Sequence, residues 1–109
     1  MFVIFGEHGM RLHEGVPDLE TIQSAVDGYI ERVVSYDAFT HGHHIDIFCN
    51  EEGLLMNLPF IYRVKMNANN DWQPIAGHLV VTASDEEGES VELHEMDVEF
   101  ITRIVRPMV

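Results

Sequence analysis

Short apolar runs rich in β-branched and aromatic residues, at 1–5, 29–36, 44–50 and 75–83, limit this chain to a sheet-based fold. None is long enough for a buried helix, and Gly, Pro or polar turn residues bound them. The pattern is sharpest at 44–50, where Ile45, Ile47 and Cys49 face one way and His44, Asp46 and Phe48 the other, as in a half-buried strand. A chain of 109 residues with 46% hydrophobic content can bury one core and is too small for two, so a single domain over 1–109 is expected.

Only two stretches carry helical spacing. Leu19, Ile22 and Val26 recur behind Asp18, a suitable N-cap, with Glu20 in the first turn; Gly28 is expected to end that helix through a left-handed conformation. At the other end, Leu93, Asp97, Phe100, Ile101, Ile104 and Val105 fit one helical face. Glu95, Asp97 and Glu99 open that segment, Arg103 and Arg106 close it and Pro107 follows, which matches the helix dipole. A loop is expected from Gly6 through Pro17, and a turn at 50–53 with Gly53 free to take positive φ. A short strand should precede Pro59, with irregular or helical chain after it. Residues 67–74 read as a loop, 85–89 as a turn around Gly88 and 90–93 as a short strand. The fold class is therefore α+β, a small mainly antiparallel sheet of about five strands with two helices packed on one face. Leu19, Ile22, Val26, Phe100, Ile101 and Ile104 would be buried against Ile45, Ile47 and Val80. Edge strands of so small a sheet invite pairing, and a homodimer is one expectation.

Charge restricts the partners. The formal net charge is −13 with six Lys and Arg, whereas neutralising six to ten phosphates takes that many cations on one face. Direct nucleic-acid binding and attraction to anionic membrane are disfavoured. The apolar start has no basic leader and is too short for a signal core or a spanning helix, and the single Cys49 gives no internal disulfide. A cytoplasmic protein is expected. Between 85 and 99 lie eight carboxylates without a base. Glu95, Asp97 and Glu99 belong to the helix start, which leaves Asp85, Glu86, Glu87, Glu89 and Glu92 as the excess and as the candidate protein-binding residues. Three readings of them stand open: a solvated turn, an interface for a basic partner, or carboxylates that mimic DNA phosphates.

For chemistry, the densest group is His41, His43 and His44, with Asp46 behind them. In extended chain His41 and His43 face one way and His44 and Asp46 the other. A metal would collect two ligands from a face unless Gly42 bends the chain, and would need another from His8, His13, His78 or Glu51. The competing reading is a solvated His-rich loop sensitive to pH. Cys49 on an apolar face reads as an inert thiol, no glycine elbow presents Ser24, Ser35, Ser84 or Ser90, and no phosphate-binding loop is recognisable. No cofactor is implied, and a non-enzymatic protein is expected. Trp72 is either an interface anchor or a cover for the core, and Glu31 and Glu51 beside their turns are expected to accept backbone hydrogen bonds.

Asp27-Gly28-Tyr29-Ile30-Glu31 after a short helix, Asn50-Glu51-Glu52-Gly53-Leu54, Leu58-Pro59, Ile75-Ala76-Gly77-His78-Leu79 and a late Leu93 occur in an order that resembles one family. It is the family of small phage and Gram-positive bacterial proteins known as domain of unknown function 3846. The pattern spans roughly 18–105. Asp27 stands where that family usually has glycine, Phe60 where asparagine commonly follows the proline, and His78 where a small polar residue is frequent. The resemblance implies a phage or mobile-element origin and no established activity. With the acidic surface, it leads to the expectation of an accessory protein that binds a host macromolecule in the host cytoplasm, inhibiting a host process or defence. The alternatives are a small-ligand or metal-binding protein using the His-rich loop and, less favoured, a DNA mimic.

Overall fold

The computed structural model describes residues 1–38, 43–67 and 69–109. Strands β1 (Phe2–Gly6) and β2 (Gly9–His13) form a hairpin, followed by helix α1 (Leu19–Val26), β3 (Ile30–Ala38) and β4 (His43–Asn50). Then come β5 (Phe60–Lys65), β6 (Trp72–Ala76), β7 (Leu79–Ser84), β8 (Ser90–Val91), α2 (Glu95–Ile104) and β9 (Val105–Pro107). A six-stranded sheet has the order β2-β1-β7-β4-β3, with β8 also on β7, and a three-stranded sheet has the order β6-β5-β9. All pairings are antiparallel.

The α+β class and the antiparallel pairing agree with the sequence reading, but the described residues form nine strands in two sheets instead of about five in one, and the layers differ as well. On the larger sheet Ile4, Val80 and Phe48 lie side by side, as do Val3, Val81 and Ile47 one residue along. Ile22 and Val26 of α1 cover the first row together with Phe2. The second row packs with Ile101 and Ile104 of α2 and with Tyr62, Val64 and Val105 of the small sheet. The helices therefore sit on opposite faces of the sheet, because β4 and β7 are buried on both sides; β7 has five buried residues in a row. Leu19 belongs to neither face and is exposed, while Phe100 is only half-buried.

Several local expectations are corrected. The stretch after Gly6 forms β2, an edge strand. The strand near Pro59 follows the proline as β5, where Tyr62 and Val64 alternate inward with Arg63 exposed; residues 51–57 before it are turns. Residues 72–74, expected in a loop, begin β6, with Pro74 tolerated on the outer strand of its sheet. Val105 leaves α2 in extended conformation and pairs with Val64, giving a strand that helical spacing had hidden.

Helix α1 begins as expected, the Asp18 carboxylate accepting the Thr21 N–H at 2.8 Å. Its end differs. Asp27 itself takes the left-handed conformation (φ 61°), and the Asp27 and Gly28 N–H groups return to Ser24 and Gln23 carbonyls, a Schellman arrangement. Gly28 and Gly53 are needed for space: a Cβ would lie 2.8 Å from Asn50 Nδ2 at Gly28 and 3.0 Å from the Ala76 carbonyl oxygen at Gly53.

Candidate functional site: the Asn50 junction and its exposed loop

The four central motif segments come together around the turn that begins at Asn50. This residue is buried at the end of β4, and its Nδ2 donates to the carbonyls of Val26 (3.0 Å) and Asp27 (3.1 Å) at the end of α1. Its Oδ1 accepts the Glu52 N–H at 2.7 Å, and the Glu51 N–H donates to the Tyr29 carbonyl. Farther along, Met56 N–H donates to Glu52 O and Leu58 N–H to Gly53 O, while Gly77 N–H reaches Pro59 O. A loop with so many internal hydrogen bonds is a built element. It nevertheless presents Leu54 (72% exposed), Leu55 (85%) and Met56 to solvent, with Tyr29 and Phe60 also exposed. Exposed Asp27, Glu51 and Glu52 adjoin this apolar group.

Beside the junction is a cleft of about 200 Å³ walled by Val26, Leu58, Pro59 and Ile61, with Glu7, Asp27 and His78 also lining it. His78 Nδ1 lies 3.2 Å from the Ala25 carbonyl oxygen, so that nitrogen carries the proton and donates. Exposed carboxylates over an aliphatic wall suit a cation on a hydrocarbon stem. A broader groove of about 470 Å³ lies between α1 and the β1–β2 hairpin, with Phe2, stacked on His13, and Ile4 among its lining.

The acidic stretch sits at the other end of the sheet, since β4 runs from its Ser84 partner at His44 to Phe48 opposite Val80. Its five residues are not equivalent. Asp85 shapes the turn, its Oδ1 accepting the N–H groups of Glu87 and Glu89, each at 2.9 Å. Glu92 lies 2.6 Å from the amino group of Met1, which holds its carboxyl below the usual range. Glu86, Glu87 and Glu89 are exposed and make no ion pair among the described residues.

The histidine group is separated. His41 lies outside the described residues. His43 starts β4 and is buried, Nε2 3.0 Å from Asp97 Oδ2, and its ring contacts that of His94. Asp97 Oδ2 also accepts the His94 backbone N–H at 2.7 Å, so this carboxylate both caps α2 and ties it to β4. His44 pairs with Asp37 at 2.6 Å. Asp46 is buried under the hydroxyls of Ser35 (2.7 Å) and Ser84 (2.6 Å), with Arg32 at 3.9 Å. His43, His44 and Asp46 thus engage three different sets of partners, and no group of three or more His, Cys, Asp or Glu among the described residues could hold a metal. Cys49 is buried, and burial first, with the Glu31 charge second, pushes its thiol up to about 11, so it stays protonated.

The sequence reading missed Asn50 as a pin, Glu7 in the cleft and the surroundings of Trp72. Trp72 lies on β6 with the guanidinium carbons of Arg63 and Arg106 each 5.2 Å from its ring centre. The signal available was the alternation Tyr62-Arg63-Val64-Lys65, which a strand after Pro59 places with cations outward.

Among the described residues no helix is long and apolar enough to cross a membrane. Neither a curated protein nor a solved structure matches the chain. The model of the family described as Domain of unknown function (DUF3846) matches residues 2–106, and the chain belongs to that family.

Proposed function

We propose that this family member is a non-enzymatic accessory protein of phage or mobile-element origin that binds a host protein with a basic surface. The observation that carries the reading is the hydrogen-bonded loop presenting Leu54, Leu55 and Met56 outward beside Asp27, Glu51 and Glu52. Apolar centres with a charged rim are the usual anatomy of a protein interface, and rigid presentation lowers the ordering cost of binding. The neighbouring cleft accepts a Lys or Arg side chain of the partner, its stem along Leu58, Pro59 and Ile61 and its head toward Glu7 and Asp27. The net charge of −13 speeds encounter with a basic protein and adds less to the affinity.

The test is affinity capture from host lysate at about 0.15 M salt, near the physiological Debye length of about 8 Å. Wild-type protein is compared with the triple variant Leu54→Ser, Leu55→Ser, Met56→Ser, whose changes are all at exposed positions. The wild type retains a partner with a basic surface, and the triple variant binds it at least about tenfold more weakly, the equivalent of roughly 1.4 kcal/mol. Equal capture by both proteins, or no partner together with turnover of a small molecule, would refute the proposal.

A further inference from the structure

The small sheet turns an unexpected face outward. Tyr62, Val64 and Val105 of β5 and β9 point into the core, so the residues between them point away. Arg63 and Arg106 are directly opposed across the two strands, Lys65 is next on the same side of β5, and Trp72 lies under both guanidinium groups. This gathers three of the six Lys and Arg onto one sheet surface. Like charges facing across a strand pair are destabilising. In a chain with 19 Asp and Glu, a nearby carboxylate would be the simple remedy, yet among the described residues none of these three cations makes an ion pair.

We infer that this Arg63–Lys65–Trp72–Arg106 face docks the acidic hairpin of a second copy of the chain. The complement is present in the molecule. Glu86, Glu87 and Glu89 project from a hairpin held by the Asp85 carboxylate, and they too lack ion pairs among the described residues. Three carboxylates without ion pairs on a narrow, hydrogen-bonded turn match three such cations on one sheet face, two of them over an indole. A second copy meets the same repulsive field of the −13 molecule as any polyanion, but at salt concentrations that screen beyond about 8–10 Å its three hairpin carboxylates against these three cations outweigh that repulsion. The contact is head-to-tail, so each added copy leaves one face and one hairpin open and the assembly grows with concentration unless it closes into a ring. A contact this small is weak, with a Kd on the order of 0.1–1 mM.

The salt dependence should pass through a maximum. At about 10 mM salt the Debye length is roughly 30 Å and repulsion between whole molecules dominates; at about 0.1–0.15 M it is 8–10 Å and the contact charges prevail; at about 1 M those too are screened. Sedimentation of the full chain at millimolar concentration should give a mean mass above 12.5 kDa at intermediate salt, falling toward 12.5 kDa at either extreme. Emission of the single Trp72 should shift to the blue in parallel as the indole is covered. The charge reversals R63E/R106E and E86K/E87K/E89K should each remain monomeric alone. Mixed in equal amounts they should associate again, because each supplies the face the other's hairpin requires. A monomer at every salt concentration, association undiminished in R63E/R106E, or failure of the mixture to associate would overturn the inference. So would a Trp72 response to an oligothymidylate probe with none to protein concentration, which would assign the face to single-stranded nucleic acid.

Discussion

Replacing Asn50 tests whether one buried amide holds the junction together. Beside a weak contact from Nδ2 to Met56 Sδ, its side chain makes three hydrogen bonds with nitrogen or oxygen partners, to Val26 O, Asp27 O and from Glu52 N, which contribute a net ~1 kcal/mol each. The Val26 bond is buried, while the other two lie where water can partly replace the lost partner. Asn50→Ala is therefore expected to cost about 2–4 kcal/mol, which lowers Tm by roughly 8–16 °C at about 4 °C per kcal/mol for a domain of this size. Asn50→Asp keeps the shape and the acceptor for Glu52 N–H but turns a carboxylate oxygen toward two carbonyl oxygens. It should be at least as damaging as Asn50→Ala at pH 7, and should regain stability as acid protonates the new carboxyl and restores a donor. Urea unfolding followed by circular dichroism gives the free energies, and hydrogen exchange at 51–57 shows whether the loop loosens before the rest. A loss below about 0.5 kcal/mol for Asn50→Ala, or an Asn50→Asp protein more stable than it at neutral pH, would refute the assignment of Asn50 as the pin.

Asp27→Gly should stabilise the fold by about 0.5–1 kcal/mol, since glycine takes φ 61° without the Cβ penalty, and should at the same time weaken partner binding by removing a carboxylate from the cleft; chemical denaturation and titration with the captured partner measure the two effects separately. Asp18→Ala should lower stability at neutral pH. Hydrogen bonding to Thr21 depresses the Asp18 pKa below its ordinary 3.8, so its contribution is present above that value and lost as pH falls through the folded-state pKa, and the Tm values of the two proteins should converge in acid. The Cys49 thiol, pushed up to about 11, should react with an aromatic disulfide reagent at pH 8 far more slowly in native protein than in urea-unfolded protein, and equal rates would contradict its burial.

What could be read from the sequence was local. Asp18 as N-cap, the acid-to-base polarity of α2, the Gly88 turn and the alternation in β4 each depend on residues within a few positions of one another, where backbone geometry dictates which groups meet. Those same short-range rules failed where partners come from elsewhere in the chain. Val105 fitted a helical face and became a strand because Val64 was there to pair with it. The row of β4 that holds Asp46 reads as a solvent face, yet Asp46 is buried like the consecutive apolar residues Leu79, Val80 and Val81 of β7, so the assignment of α1 and α2 to opposite faces waited on the tertiary structure. The candidate sites divide in the same way. An acidic stretch is visible in composition alone, and so are the residue types of the family pattern. That Asn50 reaches Val26 and Asp27, that His43 meets Asp97 across 54 positions, and that two distant arginines lie over one indole are facts of long-range packing, because contacts between distant segments follow from strand order and register, which no local pattern specifies.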